Sequence, residues 1–523
     1  MPGDKGVEIL GEVAIVQEYS SFGLYRWAEL FPDKVAVDDG RMSLTYRELA
    51  EKVDMLAAGM KNEGVKKGDK VFVSIPNFAE FIIILFACVR LGSVVICGNL
   101  QFKDQELDYL TGLMGQPKLA FMNRAIQREI MERAFPELKI VTIDEKDESL
   151  EALGTLFAAP TEVGVNMFSL DNDMLVVFTS GSTGVPKGVE LTVRNMLIPM
   201  CDMIERFHAD SEEVLFVPVP FCQTSGMAGI LIAMLLGGKL VTATRFDGMA
   251  ALELIEKHRV SLQFCVTTMY AREIDAYNSA AIKPDISSLR TGTIGGGPVV
   301  KEYMTWFEEN ADCRLLNFYG MTECAGMIAG DFEDSPENRL NKGGRPCRHV
   351  TVSILGGNGE KMPVGEQGEI CCKSPGVTRG YYKNPEMTLH LIDADGWLHS
   401  GDIGIMDSEG YISVIARKKE MIIRGGYNVF PAEVENLYCR RDDVLLAAML
   451  SYPDGDLGEK IAVFLQMKNA NHPSAEEIRE YAAAHLAKFK VPDKVLFIAE
   501  MPMLPSGKVD RVKLTEHLQK QRV

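Results

Sequence analysis

Leu175-Val176-Val177-Phe178-Thr179-Ser180-Gly181-Ser182-Thr183-Gly184-Val185-Pro186-Lys187-Gly188-Val189-Glu190-Leu191 is the stretch on which the fold of this chain turns. Its first four residues are a continuous apolar run, as in a strand buried on both faces of a parallel-rich sheet. Residues 179–188 then hold four hydroxyls, three glycines and one lysine. Glycine lets the backbone come close to an anion and turn its N–H groups toward it. The hydroxyls add donors and the lysine adds charge, so the composition suits a phosphate-cradling loop. It is not the G-x-x-x-x-G-K-[ST] loop that opens a helix. Pro186 precedes the lysine, and residues 188–191 read as a strand. Taken alone, a hydroxyl–glycine tract is more often a surface turn.

Working outward, the same strand-and-helix texture recurs. Thr45 with Glu48 three residues on is a capping box opening a helix. Residues 71–75 read as a strand, 81–91 as a buried helix ended by Gly92, and 94–97 as a second buried strand. Strand or helix patterns follow at 214–219, 226–236, 239–243, 250–258 and 263–266. Repeated strand–helix–strand units indicate a mostly parallel sheet covered by helices. From about 350 to 414 the chain turns to short strands and glycines, and its last hundred residues return to an α+β texture, with a helix at 476–487 and a strand at 495–498. The expected fold class is therefore α/β, with parallel-rich sheets in a large N-terminal domain, residues 1–418. That domain includes a small β-rich subdomain at about 350–418, and a small mobile α+β C-terminal domain follows at 419–523.

Length and charge narrow the function. A chain of 523 residues exceeds one ordinary core. A net charge of -18 argues against a general nucleic-acid binder. The eleven cysteines show no C-x-x-C pair and no zinc spacing, which suits reduced thiols in a cytoplasmic protein. The first thirty residues carry charges throughout, and no apolar run reaches the length of a membrane span, so neither a signal peptide nor a transmembrane segment is expected.

Further motifs follow the loop in order: Gly295-Gly296-Gly297-Pro298, Tyr319-Gly320-Met321-Thr322-Glu323, Trp397-Leu398-His399-Ser400-Gly401-Asp402, Arg417-Lys418-Lys419, Arg424-Gly425-Gly426-Tyr427-Asn428, and Pro505-Ser506-Gly507-Lys508-Val509-Asp510-Arg511. With the loop, they make the chain resemble the adenylate-forming superfamily of acyl-CoA synthetases, luciferases and peptide-synthetase adenylation domains, over about residues 22–514. Among these it looks most like an acyl-CoA synthetase.

The resemblance implies a site. Thr179, Ser180, Gly181, Ser182, Thr183, Gly184 and Lys187 would hold the phosphates of ATP. Gly295, Gly296, Gly297 and Pro298 would wall the adenine and acyl pockets. Tyr319 would stack on adenine, beside Gly320 and Met321; Thr322 would bond the α-phosphate; Glu323 would hold Mg²⁺, a hard cation suited to oxygen ligands. Asp402 would accept both ribose hydroxyls, and Arg417 would touch ribose or phosphate. Lys419 would be the hinge, and Gly425, Gly426 and Tyr427 would line the path of CoA. Lys508 would bridge carboxylate and α-phosphate, where a mobile ammonium neutralises developing charge. Each taken singly has a plainer reading, since an isolated Glu or Lys is usually a surface residue; the order of the motifs outweighs it.

Three departures lie on the acyl side or the hinge. Gln223 and Val193 stand where family members often carry histidine, and Ala416 stands where glycine is usual. The expected acyl pocket draws on Gln223, Gly226, Met227 and Thr268. It holds no placed charge, which favours an uncharged fatty, cyclic or aryl acid. The implied reaction makes acyl-AMP from ATP and the acid, then acyl-CoA, releasing AMP and pyrophosphate. An adenylation-only enzyme and a non-catalytic nucleotide-binding scaffold are the rival readings. No aspartate for an amino group stands in 218–226, and no carrier domain is expected after the closing Gln521-Arg522-Val523. Residue order does not specify the oligomeric state; the resemblance allows a homodimer, since many members of the family are dimers.

Overall fold

The computed structural model describes residues 20–100, 102, 104–123, 128–143, 149–159, 168–179, 186–297, 299–418, 420, 422–425, 427–469, 472–504 and 508–520. Among these residues the strands form four sheets. The first runs, edge to edge, through Arg345–Pro346, Ile328–Ala329, Arg314–Tyr319, Thr291–Gly295, Leu262–Phe264, Val214–Phe216, Lys239–Val241, Val35–Asp38 and Ser43–Thr45. Its centre is parallel and its two edges antiparallel. Helices Thr224–Leu236, Gly248–His258, Thr267–Ser279 and Lys301–Ala311 make the crossovers.

The second sheet orders Gly380–Tyr381, Lys187–Thr192, Asp173–Thr179, Val94–Cys97, Lys70–Ser74, Leu119–Met122 and Ile140–Thr142. The opening apolar run is thus the core of strand Asp173–Thr179, paired antiparallel with Lys187–Thr192 and parallel with Val94–Cys97. Two helices, Ala79–Leu91 and Thr224–Leu236, are buried on nearly every side, with apolar residues throughout except Glu80, Arg90, Thr224 and Ser225 near their ends. Such helices belong between layers rather than on a surface. The rings of Phe81 and Phe221 meet at 5.7 Å where the two segments approach. Each large side chain so buried contributes about 1.5–3 kcal/mol. Ala79–Leu91 has 13 residues, and no helix among the described residues is long and apolar enough to cross a membrane.

A third, antiparallel sheet joins Thr351–Leu355, Gly368–Lys373, Leu398–Met406 and Ile412–Arg417. The fourth joins Tyr427–Val429, Ile422–Arg424, Gly458–Met467 and Val444–Asp454, with Lys494–Phe497 beside Gly458–Met467. Two apolar clusters pack on this last sheet, built wholly from residues from Ile422 onward.

The local signals behave as their chemistry demands. Thr45 and Ser474 each make a capping box with the glutamate three residues on. Gly92 closes its helix in the left-handed conformation at φ 65°. The strand expected at 214–219 stops at Phe216. Pro218 and Pro220 have no N–H to offer the ladder, so the sheet cannot continue there.

Candidate active site

Strands Val214–Phe216, Leu262–Phe264, Thr291–Gly295 and Arg314–Tyr319 are consecutive and parallel, so all four deliver their carboxyl ends to one edge of the sheet. The segments leaving that edge carry Gln223, with Gly226 and Met227 in the first turn of helix Thr224–Leu236, then Thr268 at the start of helix Thr267–Ser279, then Gly296 and Gly297, then Gly320 to Glu323. In open α/β sheets ligands bind outside the carboxyl ends of the strands. The acyl-pocket and nucleotide expectations therefore converge on one edge.

The glycines there have separate reasons. A Cβ on Gly295 would lie 2.1 Å from the carbonyl oxygen of Phe318, so neighbouring strands close only over glycine. Gly295→Ala is expected to cost about 1–3 kcal/mol of overpacking, read as a lower denaturation midpoint; an unchanged midpoint would show that the strands can part. Gly296 is left-handed at φ 73°, and both it and Gly297 are exposed. Gly226 is a packing glycine, since a Cβ there would sit 2.2 Å from the carbonyl oxygen of Pro220. Met227 is buried, while Gln223 and Thr268 are half-buried.

At the far strand a second corner forms. Asp402 is buried and faces Arg417 across the third sheet. Tyr319 donates its hydroxyl to Asp402 Oδ2 at 2.7 Å, and Arg417 Nε donates to Oδ1 at 3.0 Å. The Asp402 amide is itself tied to Ser400 Oγ at 3.0 Å. Burial, and then the Asp402 charge, hold the Tyr319 hydroxyl well above its ordinary range. It therefore stays a donor at any working pH.

Glu323 marks the third corner, in the short turn Thr322–Cys324. Thr322 opens that turn half-buried; Glu323 is buried. Tyr381 donates to Glu323 Oε1 at 2.7 Å, and the Glu323 carbonyl accepts from Thr378 N at 2.8 Å. Strand Gly380–Tyr381 lies on the edge of the second sheet beside Lys187–Thr192. Lys187 Nζ stands 5.2 Å from the Tyr381 ring centroid. One tyrosine thus stands between Lys187, at the end of the hydroxyl–glycine loop, and the turn of Glu323. Sequence reasoning missed Tyr381. The Arg379-Gly380-Tyr381-Tyr382 run reads locally as a turn, and nothing in it points to a carboxylate 58 residues away.

Lys508 comes from the last sheet's side of the cleft. Its Cε is 4.0 Å from where a Cβ on Gly296 would be, and Val266 Cγ1 flanks that point at 3.1 Å. Leu504 N donates to the Lys508 carbonyl at 2.7 Å. Three residues on, Arg511 donates to the Met449 carbonyl at 2.7 Å and to buried Glu435 at 2.8 Å. The terminal motif is thereby pinned to the segment that begins at Pro431. Lys508 is exposed by surface area yet has much protein around it. Desolvation, then the Arg417 charge, pull its ammonium below the ordinary lysine value, against Asp402, Glu420 and Glu323.

The CoA expectations fall elsewhere. Gly425 turns the hairpin between Ile422–Arg424 and Tyr427–Val429 at φ 56°. Tyr427 is 58% exposed and stacks on Phe489 at 4.6 Å. Ser180, Gly181, Ser182, Thr183, Gly184, Pro298, Lys419 and Gly426 lie outside the described residues. All eleven cysteines are free, and nine are buried.

The AMP-binding enzyme family matches residues 24–382, and the AMP-binding enzyme C-terminal domain matches residues 433–508. A feruloyl-CoA synthase of Amycolatopsis sp is 33% identical over 493 residues, 93% of this chain and 97% of that protein. A medium-chain fatty-acid–CoA ligase of Escherichia coli (strain K12) is 28% identical over 506 residues, 94% of this chain and 89% of that protein. The o-succinylbenzoate CoA synthetase of Bacillus subtilis, solved with its acyl-adenylate intermediate, superposes with a TM-score of 0.81 at 26% identity, covering 94% of this chain and 97% of that one. An anthranilate CoA ligase bound to anthranoyl-AMP shares the fold, with a TM-score of 0.87 at 21% identity over 95% and 97% of the two chains. Matched through both segments, the chain belongs to the AMP-binding enzyme family and is an AMP-forming acid–thiol ligase of the acyl-CoA synthetase type.

Proposed function

We propose that this ligase adenylates an uncharged aryl or medium-chain acid at the edge between Gly296 and Lys508, and that Lys508 is its adenylation catalyst. The carrying observation is the approach of Lys508 to Gly296, with Asp402, Arg417 and Glu323 as its charged surroundings. In this reading a carboxylate oxygen attacks the α-phosphorus of ATP and expels pyrophosphate. Two anions must meet for that step, and a positioned ammonium offsets their repulsion. Asp402 accepts from the ribose, Tyr319 offers its ring to adenine, and Lys187 with the loop from Thr179 takes the phosphates. Segments 1–418 and 419–523 then turn about Lys419, withdrawing Lys508 and presenting the Gly425–Tyr427 hairpin for attack by the CoA thiol. Such rotation about one or two residues is an ordinary hinge.

Thr322 and Glu323 supply a hydroxyl and a carboxylate, the hard oxygen donors that Mg²⁺ requires. The ion would neutralise phosphate charge there. Glu323→Gln is expected to raise the Mg²⁺ concentration needed for half-maximal pyrophosphate release about tenfold or more, while Tyr381 keeps its hydrogen bond to the amide. An unaltered Mg²⁺ requirement would remove Glu323 from the metal site.

The acid class follows from the lining. Val266, Met227 and Gly296 are apolar or bare, and the half-buried Gln223 and Thr268 are neutral. The likeness to ligases named for ferulate and medium-chain fatty acids supports the same class. Pyrophosphate release across a panel of aryl, medium-chain, short dicarboxylic and amino acids tests it. Preference for a dicarboxylate or an amino acid would overturn the assignment, and release without CoA consumption would favour an adenylation-only enzyme.

A further inference from the structure

His399 lies within the tryptophan-to-aspartate motif yet is not needed by the chemistry above. It pairs across the third sheet with Cys371, and Glu369, two residues earlier on the same strand, shares that face. His399 Nδ1 is 3.2 Å from Glu369 Oε2 and 3.4 Å from Cys371 Sγ, and the three atoms all lie within 4.8 Å of one another. A tetrahedral zinc-class cation, with bonds of about 2.0–2.3 Å, holds neighbouring ligand atoms about 3.3–3.6 Å apart. The spacing needs little adjustment.

The other ring nitrogen, Nε2, faces Asp393 Oδ2 at 3.2 Å. A carboxylate in that place orients a metal-bound imidazole and leaves Nδ1 to the ion. A plain hydrogen-bonded cluster needs one partner at Nδ1, whereas here a thiol and a carboxylate share it. The adjacent Cys372 points the other way, into the core, with its Sγ 3.5 Å from that of Cys324. Only one of the vicinal cysteines is therefore placed as a ligand.

We propose that Glu369, Cys371 and His399 form a site for a zinc-class divalent cation, oriented by Asp393, whose occupancy is mutually exclusive with the Lys418–Glu369 ion pair. Lys418 Nζ stands 3.1 Å from the same Oε2 that faces His399. An ammonium and a dication cannot both hold one carboxylate oxygen without strong repulsion. The other carboxylate oxygen accepts from Gly401 N at 3.0 Å, next to Asp402, and that contact can persist. On binding, the cation replaces the Cys371 thiol proton, which leaves for solvent with any proton on Nδ1. Lys418 precedes the proposed hinge at Lys419, so occupancy exchanges a contact beside the hinge for a cation.

The test is a titration of the full chain with Co²⁺ alone, read as thiolate-to-cobalt charge-transfer absorption, without ATP or CoA. Its failure would leave the ligase reading untouched. One equivalent of Co²⁺ is expected to develop the band, and Zn²⁺ to abolish it by competition. Cys371→Ser is expected to lose the band, and His399→Gln serves equally if the serine variant does not fold. Asp393→Asn is expected to weaken binding about ten- to hundredfold. Lys418→Met is expected to tighten it roughly two- to fivefold, the weight of one half-exposed ion pair. No band in the wild type, or an undiminished band in Cys371→Ser, would overturn the site. An unchanged affinity in Lys418→Met would overturn the exclusivity.

Discussion

Lys508→Ala is expected to lower acyl-adenylate formation by about a hundredfold to a thousandfold or more, the usual weight of one preorganised charge-stabilising group. It is expected to spare thioester formation from pre-made acyl-AMP and CoA. The asymmetry follows from position. Lys508 meets Gly296 at the sheet edge, and the proposed rotation about Lys419 would withdraw it before the CoA thiol attacks. Equal loss in both half-reactions would mean that the substitution disturbs the fold or that Lys508 serves both steps. A pH profile separates charge from packing. The catalytic form is the ammonium, and crowding lowers its affinity for the proton. Adenylation should therefore decline on the alkaline side sooner than an ordinary lysine would dictate, and lose that limb in Lys508→Ala. A wild-type rate that stays flat until the ordinary lysine range would contradict the environment described for this group.

Asp402→Ala is expected to raise the KM for ATP by roughly tenfold to a hundredfold, with a smaller effect on kcat. Charged hydrogen bonds are worth about 1.5–3 kcal/mol each when a partner is removed. Here the carboxylate already holds Tyr319 and Arg417, so its loss frees a ring and a guanidinium at once. Asp402→Asn is the finer instrument. It keeps shape and one acceptor but loses the charge that Arg417 faces. If pyrophosphate release shows an unchanged KM for ATP in both variants, Asp402 does not bind the ribose and is only a brace for Tyr319.

Much of the architecture was legible in residue order. Strand Val94–Cys97 and the helix ended by Gly92 appear where their apolar runs and cap predict. The Thr45–Glu48 capping box forms, because a cap is a contact among residues three apart. Boundaries failed where a long-range ladder competes with local chemistry, as at Pro218. The site was legible as a set of motifs but not as an arrangement. Tyr381 reaching Glu323, Arg511 reaching Glu435, and Glu369 joining Gly401 to Lys418 are contacts between distant segments. No local periodicity encodes them.

The sequence by itself determined the repertoire: an apolar strand feeding a hydroxyl–glycine loop, a buried-helix pattern, and carboxylates and lysines in a fixed order. Those are properties of neighbouring residues, set by side-chain chemistry and backbone conformational preference. Only the tertiary structure decided that four parallel strands open at one edge, and that Lys508 arrives there from the far end of the chain. It also gave Gly226 a packing reason, the close approach of the Pro220 carbonyl, and placed His399 at the centre of a thiol–carboxylate cluster. The physical reason is the same in each case. Distances of a few ångströms between residues far apart in sequence are fixed by how sheets and helices pack, and packing is a property of the whole chain.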